Sequence, residues 1–462
     1  SFNWRILFMG KLFGTDGIRG KVNQYPMTPE MALRTGKAAA VFFRGNASSK
    51  GLKIVIGRDT RLSGAMIESA LVSGLCSLGA DVYLAGVLPT PGIAYLTTHL
   101  AADAGIVVSA SHNPFYDNGI KFFNDRGFKL SDAMENDLEQ WILDEHKTQP
   151  AIADDAIGKV FQVHDADMLY INFLLSLLTR EVKTRINGLK VVLDCSNGAT
   201  SSIAPDLFSR LGVEVIPLST SPDGLNINDA CGSQYPETLA EKVLTSGSDV
   251  GFAFDGDGDR LIAVDETGNI LTGDQLIAIF SRYYHQHDLL ANHTVVTTVM
   301  SNMGLCKALA DMHVSHLKSV VGDRYVMEQM IAAGAVIGGE DSGHIIFLDT
   351  HTTGDGVLAA LQFLRVLVSE KTTASKLAEV MTVFPQVLMN ITINDKPAIG
   401  EIDGLAEAIN KIENQLGDTG RVLIRYSGTQ PMCRVMVEAE TKAEATRYSS
   451  QLTEIIRAKI GA

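Results

Sequence analysis

The sequence predicts an α/β fold: three similar mixed α/β domains with largely parallel sheets, then a C-terminal α+β domain, arranged around a central cleft. Three observations carry this. Short apolar strands alternate with amphipathic runs along most of the 462 residues, the pattern of a doubly wound sheet. The alternation repeats with shared local text. From Val383 onward it breaks down.

The first unit runs as strand "KIVIG" from Lys53, helix "SGAMIESALVSGLCSLG", strand "DVYLAG", helix "PGIAYLTTHL" and strand "GIVVS". A second starts near Leu189 with strand "LKVVLD", helix "SSIAPDLFSRLG", strand "VEVIPL", helix "PETLAEKVLTSG", then strands "VGFAF" and "RLIAVD". The two share text: "SLGADVYLAG" parallels "SRLGVEVIPL", and "DAGIVVSAS" parallels "DVGFAFDGD", which sets Ser109 opposite Asp255 and Ser111 opposite Asp257. A third unit reads strand "TVVTTVM", helices "GLCKALADM" and "GDRYVMEQMIAAG", and strand "AVIGG" ending in "EDSGH". The tail offers strand "VLMNITIND", a helix from Glu401, two strands around "GRVLIRYSGTQPMCRVMVEAE" and a helix from Lys442. A prior of roughly 150 residues per domain allows about three domains. The patterning divides them as 9–162, 163–266, 267–382 and 383–462, with a hinge expected at Val383 to Gln386.

Composition excludes several classes. Lys plus Arg number 39 against 53 Asp plus Glu, a net charge of -14, so the chain repels nucleic acid and anionic membranes, and neither is an expected partner. Five cysteines lie far apart without a CxxC, which argues against a disulfide framework or zinc knuckle and for the reducing cytoplasm. The longest apolar segments, such as "VLAALQFLRVLV", fall short of the roughly 18 residues of a membrane span. The first eight residues, "SFNWRILF", lack the features of a secretory signal and are given no functional weight.

In an open α/β sheet the carboxyl ends of strands bind ligands, and each repeat places a polar loop there. "DGDGDR" brings Asp255, Asp257 and Asp259 together between glycines. Three converging carboxylates repel one another unless a cation neutralises them, and few carboxylates with open positions suit Mg²⁺ better than Ca²⁺. With Glu266 they also mimic EF-hand positions, yet the obligatory glycine is Arg260 and the flanks are strands, so a calcium switch is rejected. "GTDGIRG" holds Asp16 and Arg19 in a glycine-spaced loop. "RYSGTQPMCR" gathers donors from Arg425, Ser427, Gly428, Thr429 and Arg434 and reads as a phosphate clamp. "GEDSGH" offers Glu340, Ser342 and His344 to sugar hydroxyls, a weaker signal.

These loops, in this order, resemble the α-D-phosphohexomutase family from Met9 to the end of the chain. "KLFGTDGIRG", "SASHNPFYDNGIKFF", "GLNINDACGS", "TVMSNMGL" and "VGDRYVMEQM" are most similar to its bacterial amino-sugar branch. The resemblance implies an isomerase-class phosphotransferase converting glucosamine 6-phosphate to glucosamine 1-phosphate through a phosphoserine and a 1,6-bisphosphate, upstream of UDP-N-acetylglucosamine and peptidoglycan precursors. It implies that Ser111 carries the phosphoryl group and that its phosphate completes, with Asp255, Asp257 and Asp259, the sphere of one Mg²⁺; Ser109 supports the loop. Arg19 and Lys121 would act on the transferring group, with a Lys121 pKa lowered for a basic role, and His112 would stand beside them. Arg260, Glu340, Ser342 and His344 would orient the sugar, and the clamp would hold the distal phosphate. A glucose or glucosamine 1,6-bisphosphate, or a kinase, would prime Ser111. Two positions depart from the family pattern, Gln430 for Glu and Asp341 for Gln, and both bear on substrate preference. The alternatives are a mannose- or glucose-specific mutase of the same family and a noncatalytic phosphosugar- or calcium-binding protein.

Overall fold

The structure is a computed structural model that describes residues 12–14, 16–45, 51–144, 152–427 and 431–462. Its first sheet contains strands β1 (Ile18–Lys21), β2 (Leu52–Arg58), β3 (Ala80–Val87), β4 (Ala104–Val108), β5 (Asp117–Asn124) and β6 (Val160–Gln162), in the order β1-β5-β4-β2-β3-β6. The second holds β7 (Lys190–Asp194), β8 (Glu214–Leu218), β9 (Val250–Phe254), β10 (Leu261–Asp265) and β11 (Ile270–Leu271), in the order β11-β10-β9-β7-β8. The third comprises β12 (Thr294–Thr298), β13 (Ser315–Ser319), β14 (Ile337–Gly339) and β15 (Ile345–Phe347), in the order β13-β12-β14-β15.

One plan underlies all three. Each has three adjacent parallel strands, β3-β2-β4, β8-β7-β9 and β13-β12-β14, and an antiparallel neighbour, β5, β10 or β15, paired to the last of them. The parallel centres are near-continuous apolar runs because they are covered on both faces; every residue of β4, β9 and β12 is buried. Each sheet has its own apolar cluster, around Ile54 and Ile106 in the first, Val192 and Ala253 in the second, and Val296 and Val326 in the third. Local chemistry fixes the helix starts. Thr28 and Ser131 cap Pro29–Arg44 and Asp132–Leu143, and Thr272 with Gln275 forms a capping box on Gly273–Gln286.

Three details differ from the sequence expectation. "SHLKS" is a strand, β13, lying at the sheet edge. The helix expected from Glu401 begins at Leu405, because Ile399–Glu401 forms a separate 3₁₀ turn and Gly404 adopts a left-handed φ of 78°. Several helices, among them Pro29–Arg44, Gly273–Gln286 and Gly356–Glu370, had no assignment.

By packing, the described chain forms two compact units, one up to Val299 with Ser315–Ala378, the other Met300–Val314 with Glu379–Ala462. In the second unit β16 (Gln386–Thr392), β17 (Arg421–Tyr426) and β18 (Met432–Glu438) form an antiparallel sheet in the order β16-β18-β17. It packs against Leu405–Leu416 and Lys442–Ile460 around Val435, Val437 and Leu452. Helix Met303–Asp311, expected with the third repeat, groups with this unit. Asn302 exchanges hydrogen bonds with the Phe384 backbone at 2.8 and 3.0 Å, and Glu438 accepts the Met303 N–H at 3.2 Å.

Candidate active site

The common plan puts one loop in the same place three times, where the third parallel strand turns back into its antiparallel neighbour. Between β4 and β5 the loop carries Ser111 and His112; between β9 and β10, Asp255 to Arg260; between β14 and β15, Glu340 to His344. Gly256 permits the first two to meet, because a Cβ there would lie 2.6 Å from the Ser111 carbonyl oxygen and 2.7 Å from Asn228 Nδ2.

Asp255, Asp257 and Asp259 are buried, and one carboxylate oxygen from each lies within 4.8 Å of the others. Ser111 Oγ donates to Asp255 Oδ2 at 2.5 Å, and Thr90 Oγ1 donates to Asp257 Oδ2 at 2.6 Å. Asp257 Oδ1 and Asp259 Oδ1 are buried without a hydrogen-bond partner. Burial, with Asp259 and Asp257 beside it, pushes the Asp255 carboxyl far above its usual range. Bare oxygens on clustered, buried carboxylates fit a hard divalent cation, whose charge would relieve that repulsion.

Besides Ser109, the serine loop is braced by residues that the sequence did not single out. Ser111 has a left-handed φ of 51°. Arg61, fully buried, donates to the carbonyls of Ser111, Asn113, Pro114 and Asp117, and Asn228 donates to those of Ser111 and Asn113. Ser109 donates to Asp59 at 2.6 Å and accepts the Ser111 N–H at 3.0 Å.

Cations approach from β1 and β5. Asp16 binds Arg19 at 2.6 Å, Lys121 at 3.0 Å and Lys129 at 2.7 Å, and Lys121 reaches Asp257 Oδ2 at 2.7 Å. The lowered Lys121 pKa expected from the sequence is not found. Burial favours the neutral amine, but Asp16, Asp257 and Asp259 outweigh it and raise the pKa above its ordinary value. His112 Nδ1 stands 3.4 Å from Ser111 Oγ, and burial together with Arg260 and Arg19 lowers its pKa to about 4. Arg260 Nε lies 3.8 Å from Asp259 Oδ1, too far for a hydrogen bond, and has no hydrogen-bond partner.

In the third loop Glu340 Oε1 accepts the Gly322 N–H at 3.1 Å, and the buried Ser342 hydroxyl has no partner. His344 is buried between Asp259, 3.5 Å away, and Asp323, 3.6 Å away. Burial disfavours its charge, yet Asp259 and Asp323 raise its pKa. Asp341, one of the two departures from the family pattern, accepts the Asp274 N–H at 3.2 Å at the start of helix Gly273–Gln286.

The second unit holds the clamp strands. Arg425 on β17 pairs directly with Arg434 on β18, an arrangement of like charges that costs stability unless an anion offsets it. Burial, with Arg434 opposite, lowers the Arg425 pKa, and Arg434 Nε has no partner. The Ser427 N–H donates to the Met432 carbonyl at 2.8 Å, and Lys396, absent from the sequence reading, donates to the Ser427 carbonyl at 2.6 Å. Gly428, Thr429 and Gln430 lie outside the described residues.

A buried triad of carboxylates thus lies beside a serine held in a left-handed backbone conformation, on a sheet plan repeated three times, and comparison with known proteins gives the family. Residues 10–149, 168–268 and 272–384 match alpha/beta/alpha domains I, II and III of phosphoglucomutase/phosphomannomutase, and residues 388–455 match its C-terminal domain. The chain belongs to the phosphoglucomutase/phosphomannomutase family. It is 53% identical over 453 residues, 98% of this chain and 100% of the relative, to a protein of Syntrophus aciditrophicus named phosphoglucosamine mutase. A relative of the same name from Desulforapulum autotrophicum is 50% identical, with 96% and 98% coverage. Among solved structures, a family protein from Burkholderia thailandensis superposes with a TM-score of 0.79 at 25% identity, covering 97% of each chain. Aspergillus fumigatus N-acetylphosphoglucosamine mutase, solved with GlcNAc-6P and magnesium, has a TM-score of 0.68 at 15% identity, covering 98% and 96%, and shares the fold.

Proposed function

We propose that this chain is a phosphoglucosamine mutase that interconverts glucosamine 6-phosphate and glucosamine 1-phosphate. The observation that carries the reading is the 2.5 Å contact between Ser111 Oγ and Asp255, next to unpartnered oxygens of Asp257 and Asp259. The names of the nearly full-length relatives support the amino-sugar substrate.

Ser111 carries a phosphoryl group on Oγ. The C1 hydroxyl of glucosamine 6-phosphate attacks phosphorus, the bond from phosphorus to Oγ breaks, and glucosamine 1,6-bisphosphate forms. After the bisphosphate turns over, Ser111 Oγ takes the phosphoryl group from O6 and glucosamine 1-phosphate leaves. Charge gathers on the transferring oxygens in such a loose transition state, so placing fixed cations is the main task. Arg19 and Lys121, tied through Asp16, supply positive charge there, and His112, kept neutral by burial and the neighbouring arginines and 3.4 Å from Ser111 Oγ, is the group available to take the C1 hydroxyl proton and pass it to the departing Ser111 Oγ. A Mg²⁺ bound by Asp255, Asp257, Asp259 and the phosphoserine would neutralise further charge at the same oxygens. Glu340 and Ser342 hold sugar hydroxyls, with Arg260 beside them. His344, buried between two aspartates, braces Asp259. Arg425, Ser427 and Arg434, with Gly428 and Thr429, bind the phosphate that is not transferred.

No described helix is long and apolar enough to cross a membrane, and all five cysteines are free, in keeping with a cytoplasmic enzyme. Coupled assays with glucosamine 6-phosphate, mannose 6-phosphate and glucose 6-phosphate test the proposal. Turnover fastest with the amino sugar is expected; a mannose or glucose phosphate preferred over it would overturn the assignment.

A further inference from the structure

Ser111 sits in a left-handed backbone conformation, φ 51°, which a non-glycine residue keeps only where its surroundings over-determine it. Those surroundings form a closed circuit through one buried ion pair. The Ser111 N–H donates to Ser109 Oγ at 3.0 Å, Ser109 Oγ donates to Asp59 Oδ2 at 2.6 Å, and Asp59 Oδ2 accepts Arg61 Nε at 2.9 Å. Arg61 closes the ring by donating from Nη2 to the Ser111 carbonyl at 2.9 Å. Both polar groups of the serine backbone are therefore tied to the Arg61–Asp59 pair.

The other N–H groups of Arg61 go to the same loop: Asn113 at 2.8 Å, Asp117 at 3.0 Å, and Pro114. A guanidinium has five donors in a rigid fork, and all five are engaged, one by Asp59 and four by loop carbonyls. Asn228, from the second repeat, adds bonds to the Ser111 and Asn113 carbonyls at 2.9 and 3.0 Å. It thereby ties the serine loop to the repeat that supplies the aspartates. Lysine could not replace this fork, since it has three donors on a single nitrogen.

We infer that Arg61, with Asp59 behind it and Asn228 across the loop, is a positioning residue that sets the Ser111 backbone for phosphoryl transfer. The inference rests on the mutase reading. Reacting groups displaced by about 1 Å lose on the order of 10²-fold in rate.

The test compares full-length wild type, Arg61→Lys and Asn228→Ala in Mg²⁺. It measures melting temperature, kcat and KM for glucosamine 6-phosphate, and, by intact mass, the rate at which Ser111 takes a phosphoryl group from glucose 1,6-bisphosphate. In Arg61→Lys, kcat and the phosphorylation rate should fall together by about 10²-fold, and in Asn228→Ala by about tenfold, while KM stays within about twofold of wild type. If Arg61→Lys does not fold, Asn228→Ala decides. A folded variant that phosphorylates Ser111 at the wild-type rate overturns the inference, as does a loss of kcat that only tracks the loss of folded protein. Failure of wild type itself to take up the phosphoryl group would instead sink the mutase reading, and the inference with it.

Discussion

Replacing Gly256 by alanine adds one methyl group at the point where the serine and aspartate loops touch. The new Cβ would lie 2.6 Å from the Ser111 carbonyl oxygen, 2.7 Å from Asn228 Nδ2 and 2.8 Å from Ile227 Cδ1, where ordinary contact begins at 3.4 Å. The isoleucine terminus can rotate away. The Ser111 carbonyl cannot, being held by Arg61 and Asn228. Retreat in the other direction is resisted as well, because the Gly256 carbonyl accepts the Ala199 N–H at 2.8 Å. The loops must then part by the difference between 3.4 and 2.6 Å, about 0.8 Å. Such a displacement at a reacting centre costs on the order of 10²-fold in kcat, about 3 kcal/mol of barrier, with about 1–3 kcal/mol of stability lost to overpacking. Steady-state kinetics with glucosamine 6-phosphate should show the loss in kcat, with KM within about twofold, since no sugar contact is altered. Gly400→Ala, where a Cβ meets nothing within 4 Å, is the control and should match wild type. A folded Gly256→Ala enzyme with kcat within about threefold of wild type would refute the claim that the two loops must touch to react.

Other outcomes follow from the same geometry. Ser111→Ala should take up no phosphoryl group from glucose 1,6-bisphosphate by intact mass, whereas modification elsewhere would move the nucleophile. Removing Mg²⁺ should abolish turnover, and Asp257→Asn should weaken Mg²⁺ binding measured by calorimetry; unchanged affinity would remove the triad as the metal site. Arg425→Ala or Arg434→Ala should raise KM by about 10- to 100-fold, the worth of a hydrogen bond to a charged group, and an unchanged KM would dismiss the clamp. Asp355, buried and bonded to Tyr170 at 2.7 Å with His351 at 3.9 Å, has its carboxyl pushed up to about 7 by burial. The folded state therefore binds this proton more tightly than the unfolded state, and stability falls as pH rises from about 4 through about 7. Unfolding at pH 5 and pH 8 should show a decline about 3 kcal/mol smaller in Asp355→Asn than in wild type; equal declines would place the carboxylate outside that window.

The sequence exposed those parts of the fold whose chemistry repeats locally. Strands ending in Ser109, Asp255 and Glu340 were legible because a buried apolar run stops abruptly at polar text, and their equivalence survives in three sheets of the same order. Helix Gly356–Glu370 was not legible for a physical reason. Residues 356–364 are buried on all sides, so no polar face marks a helical period. Strand β13 failed in the opposite way: "SHLKS" is an edge strand with partly exposed side chains and little apolar signal.

The same contrast separates the visible from the hidden half of the site. Ser111, the three aspartates and the clamp arginines stand in short motifs whose residue types already suggest a phosphate or a cation. Arg61 and Asn228 act on backbone carbonyls, and Thr90 and Lys129 act on other side chains, so their roles depend on partners far away in the chain. One signal was nevertheless available. Asp59 and Arg61 follow the end of β2, the parallel neighbour of β4, and Thr90 follows the end of β3, the parallel strand on the far side of β2. The rule that strand carboxyl ends gather functional groups holds for every parallel strand of a repeat, and "GRDTRLSG" was as polar a strand ending as "SASHNP". Protonation was less accessible still. The sequence gives Lys121 no neighbours, while the fold places three carboxylates around it and reverses the expected direction of its pKa, because charge state is set by the sum over spatial neighbours of both signs and not by the motif that names the residue.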